Sequence, residues 1–452
     1  MRASKITLRR LGSRSWPLAL AAAVALTTPA SAQFGLAGGF QDAFRPGFTA
    51  RDVQLAVTML DLDDSQKLIL ETLYEDYQED FRTGIDGFRQ NMMNMRSDIP
   101  IDGAPDPGQI LRVVFGAMNE WRYESKDLID TFNENLKAIL NDEQTEAWLA
   151  FDRRLYRLRY LANGRLAAED LDLLLMVKQM NFPPPQLEAL KPLLQEYEAR
   201  LDNALRQREA YFNSSQDDLL LAIQNEGSGS ANIGIRVAQR QVELRKAVRD
   251  INEEYANAVA EALPEELGDE FLTKVREKTY VRIFRKTQLQ RLFDAAERIN
   301  SLEPETLEAV KALHQLYVNE LNAFNERLIE ATRRYEPENL KNKAALAASQ
   351  SAGRRPQSLP DPLVDEFAKR RELDVRYIEQ LKALLTSEQF ATLPGSGRYL
   401  TPEERQHLAA TTAGRRKAKA GRQLIGSKDM GTGSPKGNTG TIKKRPAKPP
   451  GN

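Results

Sequence analysis

The 452-residue chain carries 64 basic and 64 acidic side chains, hence no formal net charge, with 28% of residues charged and only 7% aromatic. This is the profile of long, solvent-rich helices rather than one large globular core. With no cysteine, disulfides, a thiol nucleophile and Cys-based metal sites are excluded.

Residues 1–32 read as a secretory signal peptide. Arg2, Lys5, Arg9, Arg10 and Arg14 make a basic lead, residues 16–26 an apolar stretch too short to span a bilayer comfortably, and Ala30-Ser31-Ala32 a cleavage site before Gln33. An uncleaved anchor is the alternative. Arg9-Arg10 hints at twin-arginine export, but the following residues do not complete that pattern. No later segment is apolar enough to cross a membrane, so the sequence predicts a mature, extracytoplasmic chain, periplasmic in a double-membraned cell.

The first unit is expected over 50–165. A short helix over 50–60 precedes Leu62-Asp63-Asp64-Ser65-Gln66, where Asp63 caps and Gln66 reaches back. Leu70, Leu73, Tyr77 and Phe81 then recur at steps of three or four on one helix face. Pro100, Gly103, Pro105, Pro107 and Gly108 end this long helix in a tip over 97–108. A return helix over 109–140 leads to Leu140-Asn141-Asp142-Glu143-Gln144, which opens a fourth helix. The second unit, over 166–285, restarts at Phe182-Pro183-Pro184-Pro185-Gln186, with Pro192 expected to kink its long helix and a Gly/Ser tip over 225–232. The third, over 286–395, has a long helix expected to stop at 335, a tip over 337–362, partly disordered, and a return helix ending at Leu385-Thr386-Ser387-Glu388-Gln389. The remainder, 396–452, reads as a mostly disordered basic tail. Thr401-Pro402-Glu403-Glu404 starts one short helix, and beyond Gly414 Asp429 is the only acid. Such a tail is either simply solvated or an electrostatic attachment to an anionic envelope lipid or wall polymer.

Tyr77, Tyr197 and Tyr317 lie 120 residues apart, and Phe132, Tyr255 and Tyr377 follow at spacings of 123 and 122. Two motifs recurring in step predict an all-α chain of three tandem helical-hairpin repeats, elongated, with a disordered basic tail.

Leu385-Thr386-Ser387-Glu388-Gln389 is a complete LTxxQ motif, and the segments at 62–66 and 140–144 are close variants. With Trp148, Phe151 and Arg153-Arg154-Leu155 behind the second, the chain over 50–395 resembles the Spy/CpxP family of periplasmic proteins, in three degenerate copies. The resemblance implies a helical cradle and ATP-independent chaperone or envelope-stress activity. Relatives carry one unit and pair as dimers, whereas this chain has three. Its middle copy has Pro183 and Pro264 at the motif threonines and Leu267 at the second glutamine.

Two isolated histidines, His314 and His407, predict no transition-metal site. No nucleotide-binding glycine loop and no Ser/His/acid spacing stands out, so no catalytic residue, cofactor or enzyme activity is predicted. Export argues against nucleic acid as a partner. One apolar feature remains. Phe81, Ile85, Phe88, Met92 and Met95 form a stripe on the first long helix, with Met118 and Trp121 opposite on the return helix. The spacing suits first a hairpin core, and as the alternative an adaptable Met-rich surface for non-native partners. Two functions follow: a chaperone-like protein binding non-native or envelope proteins, alone or as an oligomer, or a structural adaptor with hairpins as spacer and the tail as anchor.

Overall fold

Side-chain capping sets where the helices begin. Asp63 Oδ1 accepts the Gln66 amide at 2.9 Å while Gln66 Oε1 accepts the Asp63 amide at 3.0 Å. The same reciprocal box closes at Asn141/Gln144, Thr287/Gln290 and Thr386/Gln389. The computed structural model describes residues 44–97, 107–224, 230–351, 360–407 and 409–410. Among these it is all-α, without strands: α1 (Ala50–Met59), α2 (Asp64–Ser97), α3 (Pro107–Ala138), α4 (Asp142–Tyr160), α5 (Leu173–Met180), α6 (Pro184–Gln224), α7 (Ser230–Glu261), α8 (Glu265–Thr279), α9 (Val281–Phe284), α10 (Gln288–Ala296), α11 (Pro304–Ser351), α12 (Pro362–Leu384) and α13 (Ser387–Ala391). No described helix is long and apolar enough to cross a membrane. The predicted signal peptide, most of the first two predicted tips, residues 352–359 of the third and the tail beyond 410 lie outside the described residues.

The chain divides into two compact units, Met1–Arg285 with Asn322–Arg370, and Lys286–Leu321 with Arg371–Asn452. The division cuts α11 and α12, so the hairpin predicted over 286–395 contributes to both. The larger unit has one core around Phe48, Leu70, Phe132, Leu136 and Phe151, and a second around Leu190, Leu205, Val248, Val259 and Phe271. In the smaller unit, Leu289, Phe293, Val310, Leu381 and Phe390 are buried.

One contact recurs at the 120-residue spacing. Tyr77, Tyr197 and Tyr317 are buried and meet Phe132, Tyr255 and Tyr377 with ring centroids 5.5, 5.5 and 5.4 Å apart. A buried phenol needs a polar partner, and each hydroxyl finds it at the start of its short helix. Tyr77 Oη accepts Gly47 N–H at 2.5 Å, Tyr197 Oη accepts Leu173 N–H at 3.3 Å, and Tyr317 Oη lies 2.8 Å from Thr287 Oγ1.

The motif glutamines do more than cap. Gln66 Nε2 donates to Gln144 Oε1 at 2.7 Å and Gln144 Nε2 returns a bond to Gln66 Oε1 at 2.8 Å, tying the starts of α2 and α4 together. In the second hairpin Pro183 has no N–H to give and Leu267 no amide, and Gln186 Oε1 is buried without a hydrogen-bond partner.

Two expectations are corrected. α11 does not stop at 335 but runs through Pro337 to Ser351. Proline offers no N–H to the carbonyl four residues back, that of Arg333, and Arg249 Nη1 donates to that oxygen instead at 3.2 Å. Further out, Lys341 pairs with Glu243 at 3.0 Å and Ala344 is buried. The closing helix expected over 265–284 breaks at Tyr280, whose φ of −113° and ψ of 53° leave the helical region. Pro192, expected to kink its helix, lies inside α6, which continues through it. The short helix expected after Thr401 is present over 402–407, with Thr401 and Glu404 closing its box.

Candidate functional site

The Met/Phe stripe is packed inside the first hairpin. Phe81, Phe88, Met118 and Trp121 are buried, and Ile85 and Met92 pack half-buried against the same cluster. Trp121 lies so close to α2 that a Cβ on Gly84 would stand 2.1 Å from its Cζ3. The Phe81 and Trp121 rings are 5.2 Å apart, and Phe44 meets Phe88 edge-on at 5.3 Å. These six side chains therefore pack in the core of the first hairpin. The side chain of Met95 lies outside the described residues. Beside the stripe, Met93 is 59% exposed.

Sequence reasoning missed a buried charge centre in the second hairpin. The chain between α4 and α5 delivers Glu169, fully buried, to Arg208 Nη1 at 2.6 Å and Arg245 Nη1 at 2.7 Å. Its other oxygen accepts the Arg165 and Leu166 amides at 2.7 and 3.1 Å. Arg208 also donates to Tyr160 O, and Arg245 to Asn163 O. Asn252 Nδ2 donates to the carbonyl of Ala168, a residue held at φ 65°, at 2.7 Å. Burial pulls Arg245 down to about 10, with Glu169 opposing and Arg208 adding to the shift. The signal was present in the sequence. Arg245, Arg249 and Asn252 fall at helical steps among Val242, Val248 and Tyr255, on the buried face of α7.

Next to this centre lies a cleft of about 410 Å³ formed by α7, α8, Ala168, Leu171 and one stretch of α11. Ala256, Leu272, Val275 and Ile329 line its apolar side, and Glu253, Tyr280 and Arg333 its polar side. Tyr280 Oη donates to Glu253 Oε1 at 3.1 Å, and Arg333 Nη2 lies 2.7 Å from Oε2. Burial pushes the Glu253 carboxyl above its ordinary range against the pull of Arg333, and raises Tyr280 as well. Thr279 Oγ1 is buried at the same cleft without a hydrogen-bond partner. Tyr280 and Arg333 thus converge on the Glu253 carboxyl at the polar side of the cleft.

Among the described residues no group of three or more His, Cys, Asp or Glu side chains could hold a metal ion. His314 stacks on Phe293 at 4.7 Å, with Nδ1 2.6 Å from Glu297 Oε1, the packing place its sequence position implies. His407 is exposed on the last short helix. Comparison of the chain with family models, curated proteins and solved structures finds no match.

Proposed function

We propose that this protein is a non-catalytic structural adaptor of the cell envelope, exported by its signal peptide, with repeated helical hairpins as a spacer and the basic tail as its anchor. One observation carries the reading: the apolar stripe is spent on the hairpin core, so the helices present mainly charged faces. A tail whose only acid beyond Gly414 is Asp429 has the charge to hold an anionic surface. The test is co-sedimentation of the mature chain with vesicles containing anionic lipid and with isolated wall polymer, against a chain ending at Gly414. Salt-sensitive binding lost on truncation supports the adaptor. Equal binding by both chains removes the tail from the function.

A second reading, an ATP-independent chaperone, is favoured by the LTxxQ resemblance and by Met93, 59% exposed next to half-buried Met92. It expects reduced light scattering from an aggregating client, and weaker protection from Met93→Ser at unchanged helicity. No protection at several-fold molar excess of the unaltered chain ends that reading.

A further inference from the structure

We propose that α11 beyond Leu328 is a salt-releasable strap, laid along the second hairpin and closed by ion pairs, whose opening bares the apolar side of the neighbouring cleft.

The strap runs antiparallel to α7. Arg333 meets Glu253 at 2.7 Å, and a little over two turns further along Lys341 meets Glu243 at 3.0 Å. Between them Arg249 Nη1 donates to Arg333 O at 3.2 Å, and Glu336 Oε2 accepts the Ala167 amide at 2.7 Å. At its base Leu328 is fully buried against Tyr280 and Ile283, and Ile329 packs beside it. Outward of these two, Pro337 and Ala344 are the apolar strap residues buried among those described, with Leu340, Ala345 and Leu346 half-buried. The outer part thus combines a thin apolar contact with ion pairs and charge-assisted hydrogen bonds, and the ion pairs are its salt-sensitive share.

That charge is accessible to salt. Glu243 is 45% exposed and Lys341 27%, and Arg333 is 49% exposed although its partner Glu253 is only 20%, whereas Glu169 and Arg208 in the adjacent buried centre are both 0% exposed. Screening shortens the reach of exposed charges from about 10 Å at 0.1 M salt to about 3 Å at 1 M, and touches buried pairs far less. Rising ionic strength thus loosens the strap before it loosens the hairpin beneath. Loosening withdraws Arg333 from Glu253 and bares the side of the cleft lined by Ala256, Leu272 and Val275.

The absence of cysteine makes the test clean. Spin labels at Arg240→Cys on α7 and Lys343→Cys on the strap, both exposed positions, report their separation by pulsed electron resonance in the otherwise unaltered chain. A narrow short distance at about 0.05 M salt should give way to a second, longer population at about 1 M, with helicity by circular dichroism retained. Adding Arg333→Ala should produce the longer population already at low salt. A distribution unchanged across the salt range overturns the strap. So does a longer distance that appears only with loss of helicity, because the device would then be unfolding. The salt titration leaves the strap's ion-pairing residues Arg333 and Lys341 in place, so it decides even where the Arg333 variant fails to fold.

Discussion

At the scale of single residues, the glutamines of the capping motifs separate a satisfied buried amide from an unsatisfied one. Gln66 and Gln144 spend both ends of their amides on each other and on their own helix starts. Removing one leaves the other buried and short of partners, so Gln66→Leu should cost about 2 kcal/mol in denaturant unfolding. Gln186 already lacks a partner for Oε1. Gln186→Leu should therefore fall within about 1 kcal/mol of the parent chain, on the stabilising side, by the same asymmetry. The motif was legible in the sequence at three of the four boxed helix starts, those at Asp63, Asn141 and Thr386. The pairing was not, because residues 78 apart meet only once the hairpin has closed.

At the scale of elements, packing corrects local propensity in two places. Gly84 is a weak helix former, yet its missing side chain is the space that Trp121 fills. Gly84→Ala should destabilise the first hairpin by about 1–3 kcal/mol through overpacking and shift the tryptophan emission, although alanine is the better helix former. Pro337 was read as a stop on local grounds, correctly as to its missing hydrogen bond. Arg249 supplies that bond from α7. The hairpins, caps and most boundaries come from periodicity, which a sequence displays directly. The course of 337–351 depends on a side chain 88 positions earlier than Pro337, which no local pattern contains.

For the whole molecule, the largest single liability is Glu169. Glu169→Ala leaves the guanidiniums of Arg208 and Arg245 buried together, and should cost about 3–5 kcal/mol by thermal or denaturant unfolding. Acidity enters through Glu336, raised above its ordinary carboxylate value first by burial, against the Ala167 amide and Arg249. A carboxyl raised by folding favours the folded state most below its unfolded pKa of about 4.3, and that contribution fades as pH climbs through the raised value. Glu336→Gln mimics the neutral acid and keeps an acceptor for Ala167. Melting of this variant should match the parent in acid and exceed it at neutral pH, and an equal or lower melting temperature at neutral pH would refute the assignment. Composition announced helices and salt-rich surfaces. It did not announce the buried charge centre, since arginine on a helix is ordinarily read as solvent-facing.

The borrowed hydrogen bond at Pro337 also sets an order of events during folding. A helix with an intact ladder can form by itself, on its own clock. The turn around Pro337 is completed only by Arg249, so the last stretch of α11 has to wait for α7. Synthesis proceeds from the N-terminus and produces α7 first, which makes the waiting time short in the cell. In refolding from denaturant both segments start together and the delay becomes visible. Pulse-labelled hydrogen exchange should find amides over 338–346 protected after those of α6 and α7, and Arg249→Ala should delay and weaken that protection without abolishing it. Simultaneous protection of the three stretches would mean that the proline turn assembles without help.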